Sequence, residues 1–63
     1  MNEHNALLEK LEAELDQIRE RLGFIHEMLK INPGSEPLID CAVELRDASD
    51  RLNVLITKLR SLE

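Results

Sequence analysis

Few residues of this sequence carry reactive chemistry. There is one cysteine, there are two histidines, and eight lysines and arginines are spread over 63 residues. A single thiol, Cys41, has no partner for an internal disulfide, so a link between two chains is its one covalent option. Its helical spacing from Leu38 and Leu45 gives the plainer reading, a small core residue. A metal at His26 needs further ligands three or four residues on, and Lys30 is not one. The Glu-x-x-His pattern of di-iron bundles fails because position 23 is glycine. His4 belongs to a polar end expected to fray. Arg46, Asn53 and Arg60 recur every seven residues, with Arg51 and Lys58 beside them. Such a stripe is either a solvated helix face or a surface for phosphate groups. Arg19 and Arg21 would extend it, but Glu12, Glu14, Asp16 and Glu20 crowd them. No positioned base and nucleophile emerge from these residues. The expectation is a protein without enzymatic activity, metal or cofactor.

Composition narrows the partners. The formal net charge is −5 and 33% of residues are charged. That balance opposes a general affinity for DNA or an anionic membrane. Trp and Tyr are absent and there is one Phe, which leaves little for stacking on bases. No apolar run reaches the roughly 20 residues of a membrane span. The first residues, Met-Asn-Glu-His-Asn, are neither basic nor followed by a signal-type core, which predicts a cytoplasmic protein. The 63 residues make one domain, 1–63. A chain this short is marginal alone, and without disulfide or metal a partner chain is the expected remedy.

The elements that must position these residues are two helices. Leu8, Leu11, Leu15, Ile18, Leu22, Ile25 and Leu29 step 3, 4, 3, 4, 3, 4 along the chain. This is a heptad seam, with Leu8 at position a and Leu11 at d. Asn2 or Asn5 suits the cap of this helix. Asn32-Pro33-Gly34-Ser35 then breaks it, with Ser35 as the cap of a second helix and Pro37 in its first turn. The second seam is Leu38, Cys41, Leu45, Ala48, Leu52, Leu55, Leu59 and Leu62, again stepping 3 and 4. Ala42 and Ile56 widen it on the e side. A break of about four residues makes the helices antiparallel neighbours. Folding there layers Ile25 near Cys41, Ile18 near Ala48, and Leu11 near Leu55 and Ile56. A lone hairpin leaves much of each seam wet, and two hairpins sharing one core make a four-helix bundle.

Beyond the seams, the turn-proximal third is unusually apolar. Phe24 and Ile31 lie at c, Met28 at g, Ile39 at b and Val43 at f. These residues are either the flank of a broad core face or a docking patch for another protein. Gly23 interrupts a helix, either as a tolerated defect or to let a partner approach beside Phe24.

The heptads over 8–29 and 38–62 with a turn at 32–35 resemble the ROP-type helical hairpin proteins, RNA-binding repressors of primer. That resemblance implies a hairpin dimerising into a four-helix bundle, and an RNA-binding function. The corresponding first helix here carries Glu9, Glu12, Asp16 and Glu20. The Pro-marked turn, Asn32-Pro33 to Pro37-Leu38, is similar to that of secretion-needle subunits. Small phage and plasmid accessory proteins share the same plan.

The expectation is therefore an all-α protein, an antiparallel hairpin of helices at about 4–31 and 36–62, dimerising into a four-helix bundle. Its predicted role is to self-associate and to bind or modulate another protein, as a regulatory or accessory protein of phage or plasmid type. The alternatives are a ROP-like RNA-binding regulator, or a secretion-type chaperone or subunit stable only with an unlike partner.

Overall fold

The structure, a computed structural model, describes residues 3–62. Helix α1 spans Glu3–Ile31 and helix α2 spans Glu36–Ser61. The expected bounds hold to within one residue. Asn2 lies outside the described residues, and Asn5 sits inside the start of α1 rather than capping it.

The turn forms as its residues dictate. The Asn32 N–H still donates to the Met28 carbonyl at 3.0 Å, completing the last turn of α1. Pro33 has no N–H to continue the ladder. The Ser35 N–H closes back on the Asn32 carbonyl at 3.2 Å. Ser35 is extended, with φ −74° and ψ 107°, and its Oγ accepts from the Leu38 N–H at 3.4 Å. That is the expected N-cap. Glu36 at the first position and Pro37 behind it suit the positive end of the helix, while Lys58 and Arg60 suit the other end.

The two helices pack against each other along their length. The hairpin's backbone measures 47 × 15 × 12 Å, two helices lying side by side. It is therefore a single layer. The buried cluster is small: Leu8, Leu15 and Ile56, with Leu11, Leu52 and Leu59 packed against it. All of it lies towards the open end. The turn half contributes half-buried residues only, among them Leu22, Ile25, Leu29, Leu38, Ala42 and Leu45.

Within the single hairpin, α2 packs on the e side of its expected seam, the side that Ala42 and Ile56 widen. Its buried and half-buried positions are Leu38, Ala42, Leu45, Ser49, Leu52, Ile56 and Leu59, an a/e stripe, with Ala48 the one half-buried residue on the d flank. Ile56 is 4% exposed, while its neighbour Leu55 is 48% exposed. Cys41, expected as a small core residue, is exposed in the hairpin. The two flanks match in size, Cys41 and Ala48 on d against Ala42 and Ser49 on e, and they differ lower down, where Ile56 rather than Leu55 joins the core. With one helix to cover, α2 needs one flank of its seam, so the d flank with Leu55 turns outward.

Candidate functional site

The hairpin has two long edges where α1 meets α2, and they are chemically opposite. On the d/g side, Phe24 and Ile25 of α1 face Cys41, Leu45 and Ala48 of α2 across an open groove of about 680 Å³. Glu20, Arg21 and Glu44 form its charged rim. On the e/b side, Glu12, Asp16 and Arg19 face Asn53 and Arg60, with Leu15 and Ile56 at the floor. The first edge is apolar and the second is polar.

The polar edge is closed by its own charges. Arg60 Nη2 donates to Glu12 Oε2, joining the two helices. Such a half-exposed pair contributes roughly 0–1 kcal/mol. Arg46, Asn53 and Arg60, the candidate phosphate stripe, are all exposed, as expected of either reading. Arg60 is nevertheless engaged by Glu12, and Asn53 shares its groove with two acids.

The apolar edge is open. Leu7, Leu55 and Leu62 at the open end and Phe24 and Met28 near the turn stay between 39% and 75% exposed on this side. Ala48 in its middle is half-buried. Of the patch residues, Phe24 belongs to this groove. Ile39, Val43 and Ile31 are 43%, 53% and 88% exposed, and neither Ile39 nor Val43 lines the groove. Val43 at f lies on the outer face of α2, and Ile39 at b lies beside it towards the polar edge. The turn-proximal apolar surface thus divides into a groove part and an outer part.

The groups with reactive chemistry are kept apart. Cys41 lines the apolar groove, and His26 is exposed at e on α1, the flank of the polar edge. Among the described residues no group of His, Cys, Asp and Glu is placed to hold a metal ion. No described helix is long and apolar enough to cross a membrane.

Two contacts escaped the reading of the sequence. His4 is half-buried and helical, and its Nε2 lies 2.5 Å from the Leu59 carbonyl oxygen. The signal was there: position 4 is seven residues before Leu11 and extends the d register. The Glu12–Arg60 pair joins an e position to a b position, a relation visible once α2 is turned onto its e flank.

Comparison with known protein families, curated proteins and solved structures found no match to this chain.

Proposed function

We propose that this chain is a non-enzymatic helical hairpin that self-associates through its apolar edge, as a dimeric four-helix bundle, and that the assembled bundle binds or modulates another protein. The observation that carries this reading is the single layer with an uncovered seam. Among the described residues no side chain is fully buried. A compact globule of 7.3 kDa exposes about 4,200 Å². The hairpin exposes 5020 Å². The excess, roughly 800 Å², is what each partner contributes to a standard-size interface.

The surface for the second protein is the turn-proximal pair Ile39 and Val43 on α2, which does not line the apolar groove. RNA binding has less support, because the acids of α1 face Asn53 and Arg60 across the polar edge. A phage- or plasmid-type accessory role fits such a small binding protein.

Molar mass by light scattering over a dilution series, with helicity followed on the same samples, tests the reading. The expected result is a dimer that loses helix as it dissociates. A poorly helical monomer at all concentrations would overturn it in favour of an obligate unlike partner.

A further inference from the structure

Resting on the self-association reading, we infer that the second copy docks on the apolar edge in the reversed direction, with the two turns at opposite ends of the bundle. Two arrangements relate a pair of hairpins by a two-fold axis across this face. An axis along the bundle puts both turns at one end and sets α1 against α2 of the second copy. An axis across it puts the turns at opposite ends and sets like helices against each other.

The apolar edge decides between them by shape. Along the d row of α2 the turn half carries the small Cys41 and the middle carries Ala48, while Phe24, Ile25 and Leu45 supply the large side chains of the groove there. Beyond the groove, towards the open end, the same row continues with the large exposed Leu55 and Leu62, and α1 adds the exposed Leu7. Cys41 and Leu55 are separated along α2 by about 21 Å at 1.5 Å per residue. Reversal about Ala48 lays Leu55 of the second copy over Cys41, and the exchange is mutual. Likewise reversal about Ile18 lays Leu11 of one copy over Ile25 of the other. Same-end docking instead puts both cysteines in one layer and both Leu55 residues in another. The first layer is then underfilled and the last crowded.

The rim agrees. The g positions of α1 read Leu7, Glu14, Arg21, Met28. Reversed on itself, this row sets Glu14 against Arg21 and Leu7 against Met28 of the second copy. On α2 the same operation brings Glu44 towards Arg51. Among the described residues these four charged groups make no ion pair within the hairpin. Same-end docking also matches the charges, but it sets Leu7 against Lys58.

The test is cross-linking of the Leu55→Cys variant, which retains Cys41, under copper–phenanthroline in air, beside the unmodified chain. The expected product is a disulfide between chains that joins Cys41 of one copy to the thiol introduced at position 55 of the other, with little link in the unmodified chain. Cys41–Cys41 linkage in the unmodified dimer would overturn the reversed docking and leave self-association standing. A monomer by light scattering would overturn both. Should Leu55→Cys fail to dimerise, charge reversal replaces it. Glu14→Arg is expected to weaken the dimer about tenfold, and Arg21→Glu in the same chain to restore it. A double variant weaker than the single one would overturn the reversed docking.

Discussion

The ring of His4 meets the carbonyl oxygen of Leu59, with Nε2 at 2.5 Å, so the first turn of α1 is tied to the last turns of α2. The Leu59 carbonyl also accepts from the Leu62 N–H at 3.2 Å. Carbonyls this close to a helix C-terminus lack a full set of intrahelical partners, and a side-chain donor is welcome there. His4→Ala removes the donor and leaves a half-buried acceptor short of one bond. The expected cost is about 1 kcal/mol. The urea midpoint at fixed protein concentration reads it, and an unchanged midpoint would mean the tie does not persist in solution.

The turned register of α2 gives a sharper contrast, because Leu55 and Ile56 are adjacent and similar in size. Ile56 is in the small core and Leu55 is outside it. Ile56→Ala should destabilise the hairpin by about 2–5 kcal/mol. It should do so at every protein concentration. Leu55→Ala removes nothing from the hairpin core, and alanine is at least as good a helix former. Its effect should grow with concentration, as a weaker dimer. Equal losses from both variants in dilute solution would refute the turned register.

The helices, their ends and the Ser35 cap were legible because they rest on local signals: heptad spacing, Asn-Pro, and a serine before an acidic turn. The flank of α2 that faces α1 was not. Leu38, Leu45, Leu52 and Leu59 belong to the seam on either choice, so spacing alone gives d and e equal claim. The outcome, Ile56 in the core and Leu55 outside it, belongs to the packing of two helices rather than to either one. The exposure of Ile31, Ile39 and Val43 was half-legible for the same reason. Their heptad positions pointed outward, but a broad core face would have covered them. His4 was read as a fraying end because polar neighbours outweighed its place in the d register.

Gly23 lies in the middle of α1, where glycine costs about 1 kcal/mol against alanine. A Cβ built there meets nothing within 4 Å, so no close approach inside the hairpin requires the glycine. Its b position also lies away from the apolar groove. Gly23→Ala is expected to stabilise the protein by about that amount and to leave the dimer mass unchanged. Loss of dimer or of stability would show that another chain packs against this backbone.

The outer patch makes the most direct prediction about function. Ile39 and Val43 are 43% and 53% exposed, one turn apart on α2. Asp at both positions adds two charges to a surface that already meets water, so burial of a charge does not arise. Helicity and dimer mass of the Ile39→Asp, Val43→Asp double variant should therefore match those of the parent within about 0.5 kcal/mol of stability. Binding of the unlike protein, once captured with the parent chain, should fall at least tenfold. Unfolding of the double variant would make the patch core and end its claim as a binding surface. Intact fold with intact capture would move the binding surface elsewhere on the bundle.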